Sequence, residues 1–382
     1  MRPVYLDYSA TTPLDDRVFE AMVPYFRENF GNASSIHAFG RKARAALEES
    51  RETIARCINA PYEALVFTSG GTESDNYAVR GAGMAQAKKG RNHIIVSAVE
   101  HHAVLDTALD LRTKGFEVNC ARVDETGTVD LDHLRSLAND RTALISVMHV
   151  NNEVGTIEPV REAADIAHAV GALFHTDAVQ SFGKIPVNVE DLGADLLTLS
   201  AHKIYGPKGI GALYIKKGTI VEPLVTGGGQ EGNRRAGTES VALAVGFAQA
   251  ARIAVEFAER DSIHIRKLRH ELREKLAGHR GIVFNGHPEK SIPHILSVSF
   301  DRTGIDGEAL IIGMDLRGVA VTSGSACTSG TLEPSHVLLA MGRPEATARA
   351  TIRFSLGRLT TSEEIETAAK ALEEVVRAMK KR

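Results

Sequence analysis

The chain has 382 residues, of which 43% are hydrophobic and 24% are charged, and its formal net charge at pH 7 is -3. This length and composition predict a soluble protein with one large domain and one smaller domain. The nearly balanced charge offers no basic field for direct binding to nucleic acid or to an anionic membrane surface.

Neither a membrane span nor a signal peptide is indicated by the sequence. No apolar run approaches the length of about 20 residues that a membrane helix needs, and residues 1–7 lack an apolar core. The three cysteines are too few for a disulfide framework. They form no CxxC motif or Cys/His cluster, so no metal site is predicted within one chain. We therefore expect a cytoplasmic protein.

A short extended segment at the N-terminus leads into two predicted helices. Thr12 suits the N-cap and Pro13 the first helical position, so the first helix is predicted to run to about residue 28. Gly31 and Asn32 would follow its end. The second helix is rich in charge and is predicted to reach about Cys57.

A predicted strand at residues 64–69 is followed by two glycines and the start of a helix. Glycines at such a turn leave backbone N–H groups free to bind an anion, and Thr72 adds a hydroxyl group. Threonine and glutamate at 72 and 73 are equally typical of an ordinary capped helix. The Gly-Lys-Ser/Thr ending of a P-loop is absent, so the motif by itself does not identify a site.

Strands and helices then alternate, which favours a mostly parallel sheet covered by helices on both faces. Further strands are predicted at 93–97, 117–121, 143–150, 174–177, 195–199 and 211–215, with helices from about 100, at 130–137 and at 162–170. In such sheets ligands bind beyond the carboxyl ends of the strands. Residues that fall just past predicted strand ends are Gly71, Thr72, His101, Asn152, Asp177 and Lys203.

Lys203 follows a buried strand, where a lysine is costly unless it is paired, exposed in a cleft or chemically used. A surface lysine on a hairpin is the alternative. Ser200 and His202 beside it offer hydrogen-bond donors for an anion, and Asp177 ends another apolar strand. Pyridoxal phosphate requires a lysine that forms a Schiff base and an acid that keeps the pyridine nitrogen protonated. Lys203 and Asp177 together therefore indicate this cofactor.

The C-terminal half has a different pattern. Residues 221–238 are irregular and rich in glycine, and a long helical pattern with a break is predicted over 239–277. Shorter elements follow, with strands at 282–284, 295–300, 319–321 and 350–356 and helices at 306–314 and 362–377. Arg353 lies in the last strand, where it is either a solvated edge charge or a clamp for a substrate carboxylate.

Cys327 lies in a segment of small polar residues, 322–331, which predicts an exposed and mobile loop. Cys57 and Cys120 fit small core residues of a helix and a strand. Cys327 does not fit that description, and a reactive thiol is the better interpretation.

These motifs resemble the NifS/IscS-type cysteine desulfurases of the class V aminotransferase family. The resemblance runs from Tyr5-Leu6-Asp7 to the end of the last predicted strand, and its most specific pieces are SAHKIYGPKG at 200–209 and SGSACTS at 323–329. It implies an α/β protein of pyridoxal-phosphate fold type I and a homodimer. The large cofactor domain would span residues 14–258, and residues 1–13 and 259–382 would form a smaller α+β domain carrying the cysteine loop at about 322–332.

The resemblance also implies the role of each site residue. Lys203 is the Schiff-base lysine, Cys327 the nucleophile that becomes a persulfide, and His101 either a proton acceptor for a thiol or only a stacking partner of the ring. The other implied cofactor contacts are Gly71, Thr72, Ser200 and His202 at the phosphate, Thr238 reaching it from the partner subunit, Asn152 and Gln180 at the ring hydroxyl, and Asp177 at the ring nitrogen. The implied substrate contacts are Arg353, Asn152 and Asn32.

The implied reaction converts L-cysteine to L-alanine and leaves sulfur on Cys327 for an acceptor, either an iron–sulfur scaffold protein of the IscU/NifU kind or a tRNA-thiolation protein. Alternatives within the enzymes are a selenocysteine lyase or another class V enzyme such as an aminotransferase. A docking subunit without catalysis is a further alternative, although Lys203, Asp177 and Cys327 together argue against it. Cys327 could also ligate an iron–sulfur cluster, with cysteines from a partner completing the site.

Overall fold

The computed structural model describes residues 3–279, 281–301, 304–324 and 333–379. Its strands are β1 (Val4–Tyr5), β2 (Leu65–Thr68), β3 (His93–Ser97), β4 (Glu117–Ala121), β5 (Thr142–Ser146), β6 (Leu173–Asp177), β7 (Leu196–Ser200), β8 (Gly211–Ile215), β9 (Ile282–Asn285), β10 (Ile295–Phe300), β11 (Val319–Ala320) and β12 (Thr351–Ser355). Its helices are α1 (Asp16–Arg27), α2 (Ala38–Cys57), α3 (Gly71–Asn76), α4 (Ala82–Ala87), α5 (His102–Leu111), α6 (Leu131–Leu137), α7 (Val160–Ala169), α8 (Gln230–Asn233), α9 (Val241–Ala277), α10 (Gly307–Asp315), α11 (His336–Ala340), α12 (Glu345–Arg349) and α13 (Ser362–Met379).

Seven strands form the central sheet in the order β2-β8-β7-β6-β5-β3-β4. The neighbours from β7 to β4 pair in parallel, whereas β8 runs antiparallel to β7 and β2. Successive residues of a strand point to opposite faces, and Leu196 and Leu197 of β7 accordingly enter hydrophobic clusters on opposite sides of the sheet. The prediction of a mostly parallel sheet sandwiched by helices is confirmed.

The remaining strands form a smaller layer. An antiparallel sheet has the order β12-β10-β9, and β1 pairs with β11 in parallel. Residues of these strands share one hydrophobic cluster with α10, α13 and the second half of α9. The N-terminal strand therefore joins structure built from the C-terminal third of the chain.

Helix α9 is continuous over 37 residues, so the predicted break in this region is wrong. It contains no proline, and each half has its own apolar partners: residues up to Ala254 pack with α1 and α2, and residues from Ile265 pack with the smaller layer. The predicted domain boundary at residue 258 falls between these two contact zones and stays a prediction.

The same helix contains an 18-residue window that is apolar enough to cross a membrane by length and composition. Of that window, 56% is buried inside the protein. A core helix passes this test as readily as a membrane helix, and the contacts of α9 with α1 and α2 account for its apolar face.

Thr12 does not cap the first helix, so that prediction is wrong. Helix α1 begins at Asp16, and the Asp15 side chain accepts a hydrogen bond from the Arg17 N–H. Thr12 instead donates from its hydroxyl to the His202 carbonyl and accepts from the Tyr205 N–H at 2.7 Å. A long-range contact therefore uses the side chain that local sequence assigns to a cap.

A buried ion pair fixes the glycine-rich segment that follows β8. The Arg51 guanidinium donates to both carboxylate oxygens of Glu231, at 2.6 and 2.7 Å. Glu231 also accepts from the Phe67 N–H at 2.9 Å, although its own φ of 50° is unusual for a residue with a side chain. These bonds connect α2, β2 and α8.

We predict that Glu231→Ala lowers the free energy of unfolding by about 3 kcal/mol, because it leaves the buried Arg51 charge unpaired. Chemical denaturation followed by circular dichroism measures this loss. Glu52→Ala is the matched control, since Glu52 pairs with Arg56 on the surface and such pairs contribute at most about 1 kcal/mol. Equal losses in the two variants would contradict the interpretation.

Candidate active site

A cleft of about 410 Å³ lies where the carboxyl ends of the parallel strands meet the smaller layer. The predicted site residues that line it are Gly71, Thr72, His101, Asn152, Asp177, Gln180, Ser200, His202, Lys203 and Arg353. Nine of these ten residues come from the large sheet and its connections, and Arg353 comes from β12. The arrangement brings an amine, a buried acid, anion-binding groups and a guanidinium to one cavity.

Lys203 follows β7 in a single turn of 3-10 helix. Its Nζ donates to the backbone carbonyls of Ser9 at 2.5 Å and Ala10 at 2.8 Å. Burial, and then the positive charge of Arg353, lower the pKa of Lys203 from its ordinary 10.5 to about 8. About a tenth of this amine is therefore neutral, and so nucleophilic, at pH 7.

Asp177 ends β6 and is buried. One carboxylate oxygen accepts a hydrogen bond from the Val179 N–H at 2.8 Å. Burial raises the pKa of Asp177 to about 6, and the Val179 bond and the charge of Lys203 oppose that rise. Among the described residues no cation is bonded to this buried carboxylate, so a positively charged group placed in the cleft would stabilise it.

Part of the cleft wall is suited to an anion. The Ser200 hydroxyl is buried without a hydrogen-bond partner among the described residues. Gly71 begins α3 beside it, and a side-chain Cβ there would lie 3.1 Å from Val179 and 3.7 Å from Ser200. Thr72 and His202 also line the cleft. The unpartnered Ser200 hydroxyl and the backbone N–H groups at the start of α3 match a phosphate group.

His101 caps α5, and this fixes its tautomer. Its Nδ1 accepts a hydrogen bond from the Ala103 N–H at 3.1 Å, so the proton of the neutral ring resides on Nε2. The surrounding cleft walls, and then the charge of Lys203, lower the pKa of His101 to about 4. In this state the ring offers an N–H and an aromatic face. It could accept a proton on Nε2 only after the capping bond is broken.

Arg353 is held by two other groups of the chain. Its Nη1 donates to the Asn152 carbonyl at 2.7 Å, and its Nη2 donates to Asp7 at 3.0 Å. The Nε–H is buried and has no partner among the described residues. Arg353 lines the cleft, so this unused donor suits a carboxylate bound there.

Two predicted site residues lie outside this cleft, and a third is not among the described residues. Thr238 lines a separate cavity of about 210 Å³ together with Gly237 and Arg235. Asn32 is exposed, and its side chain accepts from the Ser34 N–H rather than facing the cleft. Cys327 lies outside the described residues. Thr322 and Gly324, close before it in sequence, line the cleft.

The sequence patterns did not reveal several residues of the site. Ser9 and Ala10 supply the carbonyls that bind Lys203, and Asp7 holds Arg353. Glu153 is buried beside the cleft and accepts a hydrogen bond from Ser335. The small and polar composition of residues 7–12 was the available signal, but local periodicity does not show which distant groups such residues contact.

Across the described ranges, no group of three or more His, Cys, Asp or Glu side chains is arranged to hold a metal ion. Burial raises the pKa of the Cys57 and Cys120 thiols. Both side chains are half-buried and pack against hydrophobic clusters, which matches the interpretation of them as small apolar residues.

Comparison with known proteins connects this geometry to a family. Residues 4–367 match the family Aminotransferase class-V. The chain is 48% identical over 380 residues to a cysteine desulfurase IscS of Dictyoglomus turgidum, which covers 99% of this chain and 96% of the relative. A solved NifS-like protein superposes with a TM-score of 0.92 at 39% identity, covering 98% of this chain and all of the other. SspA, solved in complex with cysteine, gives a TM-score of 0.82 at 34% identity, covering 94% of this chain and all of the other.

The chain belongs to the class V aminotransferase family, whose fold and cofactor class agree with the sheet and the cleft. Within this family its relatives are the cysteine desulfurases, over nearly the full length of both chains. The expectation of a NifS/IscS-type enzyme is thereby confirmed, and the family implies the use of pyridoxal phosphate.

We predict that the apoprotein takes up pyridoxal phosphate faster as the pH rises and that this rate levels off about one pH unit above 8. Only the neutral amine is nucleophilic, and the lowered pKa of Lys203 sets the midpoint of the rise at about 8. Stopped-flow absorbance at a series of pH values measures the rate. A rate that still climbs steeply above pH 9.5 would indicate an ordinary lysine, and Lys203→Ala provides the baseline.

Proposed function

We propose that this enzyme binds pyridoxal phosphate in the cleft, takes sulfur from L-cysteine onto Cys327 and releases L-alanine. The observation that carries the proposal is the meeting of the Lys203 amine, the buried Asp177 carboxylate and the Arg353 guanidinium in one cavity. The related cysteine desulfurases, and the similar structure solved with cysteine, support the choice of substrate.

The chain has a group for each part of the cofactor. Ser200, Gly71, Thr72 and His202 would hold the phosphate, for which the unpartnered Ser200 hydroxyl is the clearest sign. Asp177 would face the ring nitrogen, and Gln180 and Asn152 the ring hydroxyl. His101 would lie against the ring with its aromatic face. When bound, pyridoxal phosphate supplies a ring that takes up the electron pair left by the departing α-proton of the substrate.

Proton transfer falls to Lys203, because its amine lies in the cleft and is neutral in part near pH 7. Asp177 would hold positive charge at the ring nitrogen, since a buried carboxylate is stabilised by a cation beside it. Neutral His101, which carries its proton on Nε2, would act by stacking and by donating a hydrogen bond. We therefore favour Lys203 over His101 as the group that removes the α-proton.

Arg353 would bind the substrate carboxylate through its free Nε–H. Asp7 and the Asn152 carbonyl hold the guanidinium in position before substrate arrives. This contact would orient the α-hydrogen toward Lys203, which is the kind of positioning from which enzymes derive much of their rate.

The sulfur step balances without an outside oxidant or reductant. The Cys327 thiolate would attack the sulfur of L-cysteine, so that an S–S bond forms as the substrate C–S bond breaks. The electron pair of the broken bond stays with the carbon skeleton, which takes up a proton and leaves as L-alanine. L-cysteine and the enzyme thiol thus become L-alanine and an enzyme persulfide.

The position of Thr238 supports a homodimer. Thr238 lies outside the cleft of its own chain, in the segment that the Arg51–Glu231 pair fixes. The resemblance assigns Thr238 to the phosphate of a second copy, and a position outside the cleft of its own chain agrees with that role. We further propose that the enzyme is cytoplasmic and passes sulfur to an iron–sulfur scaffold protein or a tRNA-thiolation protein. We also propose that residues 14–258 form the large domain and that residues 1–13 and 259–382 form the smaller one.

We predict that the enzyme gains one sulfur atom on the Cys327 peptide when it is mixed with L-cysteine without reductant, and that it releases L-alanine. Peptide mass spectrometry and amino-acid analysis measure the two products. Cys327→Ser should still take up cofactor but form no persulfide, while the matched control Cys57→Ser should behave as the wild type. Cofactor uptake without sulfur on Cys327 would instead point to another reaction of this family.

Arg353→Lys should raise the KM for L-cysteine about 100-fold. Lysine keeps the charge but has no donor in the place of the Arg353 Nε–H, and a hydrogen bond to a charged group contributes about 1.5–3 kcal/mol. Steady-state kinetics measure the change, and cofactor absorbance shows whether the site is otherwise intact. An unchanged KM would mean that another group binds the substrate carboxylate.

A further inference from the structure

A second lysine lies close behind the cleft, on the turn that follows Asp177. Lys184 Nζ donates to Gln180 Oε1 at 2.8 Å. Gln180 is buried, and its Nε2 donates to the Ser9 carbonyl at 2.9 Å. That carbonyl also accepts from Lys203. A continuous set of hydrogen bonds therefore runs from Lys184 through Gln180 and Ser9 to Lys203.

The turn that carries Lys184 is closely packed. Gly183 has a φ of 71°, and a Cβ at this position would lie 2.6 Å from the Cβ of Ala254 on α9. A side chain there would force the turn away from α9, so glycine is needed. Close packing against α9 thus keeps Lys184 next to Gln180, four residues earlier.

Lys184 has no carboxylate within ion-pair distance among the residues that the structure covers. A cavity of about 30 Å³ lies between it and Lys203, lined also by Ser9 and His294. Burial, and then the positive charges of Lys203 and Arg353, lower the pKa of Lys184 to about 7. Placing the Lys184 cation here without a carboxylate partner is unfavourable, so its hydrogen bond to Gln180 is expected to have a role that offsets this cost.

The chemistry of the two side chains provides one. The Lys184 ammonium can only donate hydrogen bonds, so the Gln180 oxygen faces Lys184 whenever that amine is protonated. The Gln180 NH₂ group is thereby turned toward Ser9 and the cleft, and only one of its two N–H groups is used by the Ser9 carbonyl. The other N–H is available to a ligand. If the amide were reversed, its oxygen would face the Ser9 carbonyl, and the two would repel.

We propose that Lys184 is a positioning residue that fixes the amide orientation of Gln180, so that Gln180 presents an N–H donor to the cofactor. This rests on the proposed function, because the ligand is pyridoxal phosphate. Lys184 acts through Gln180 and does not touch the cofactor itself.

The test is a double-mutant cycle on cofactor affinity. Lys184→Met should weaken the binding of pyridoxal phosphate to the apoprotein about 5-fold, the size of one hydrogen bond. In a Gln180→Leu background the same change should have no further effect, because the amide on which it acts is gone. Titration of the apoprotein, followed by cofactor absorbance, gives the four dissociation constants.

A second measurement separates positioning from a general loss of structure. Loss of the Gln180 donor and of the Lys184 charge should both raise the pH at which the absorbance of the bound cofactor titrates. Lys184→Arg should restore both the cofactor affinity and the pH of the absorbance titration, since arginine, too, can only donate hydrogen bonds. This variant can be measured even if Lys184→Met does not fold. Lys217→Met, at an exposed lysine, is the matched control.

The outcomes are distinct. Additive effects of Lys184→Met and Gln180→Leu, or wild-type affinity and titration in Lys184→Met, would overturn the positioning role. Failure of Lys184→Arg to restore a loss seen in Lys184→Met would do the same. If the wild-type apoprotein takes up no pyridoxal phosphate at all, the proposed function fails instead.

Discussion

The amine of Lys203 lies at the end of a buried strand, and the N-terminal segment stabilises it there. Two backbone carbonyls, of Ser9 and Ala10, accept its hydrogen bonds. They stabilise the ammonium without adding a negative charge, so the pKa stays lowered rather than being raised by an ion pair. The same segment supplies Asp7, which holds Arg353. The reactive amine and the carboxylate clamp thus depend on one short stretch of chain that crosses between the two layers.

Three groups around the cleft lack a partner for their charge or for one of their hydrogen-bond donors. Asp177 is buried without a bonded cation, Lys184 without a carboxylate, and the Arg353 Nε–H without an acceptor in the part of the chain that the structure describes. Each of these arrangements costs stability in the protein alone. A ligand with a ring nitrogen and a carboxylate would satisfy Asp177 and the Arg353 Nε–H, whereas Lys184 lies behind the cleft and acts only through Gln180. Active sites commonly hold such groups ready in this way, because groups already in place need not reorganise during the reaction.

Sequence patterns predicted the elements whose signal is local. Strands β3, β4 and β10 have their predicted bounds, because an apolar run bounded by polar residues defines a buried strand by itself. The strand-end rule likewise placed Asp177 and Lys203 at one edge. The roles of Thr12 and Lys184 were not predicted, because they depend on contacts made in the folded protein. Thr12 contacts Tyr205, which is 193 positions away, and Lys184 contacts Gln180. The roles assigned by resemblance to Asn32 and Thr238 concern surfaces outside the cleft of one chain.

The N-terminal segment is held by residues from the far end of the chain. Val4 pairs with Val319, and the Leu6 carbonyl accepts a hydrogen bond from the Ser355 N–H at 2.7 Å. During synthesis the first ten residues leave the ribosome early, but their partner strand β11 emerges only at residue 319 and their bond to Ser355 forms only after that. The large sheet can form before that, and its residues already contact this segment, since Gln180 binds the Ser9 carbonyl and Thr12 binds His202 and Tyr205. A chain released before β12 would therefore keep the carbonyls beside the reactive lysine but would lack Arg353, the group that Asp7 holds in the finished polypeptide.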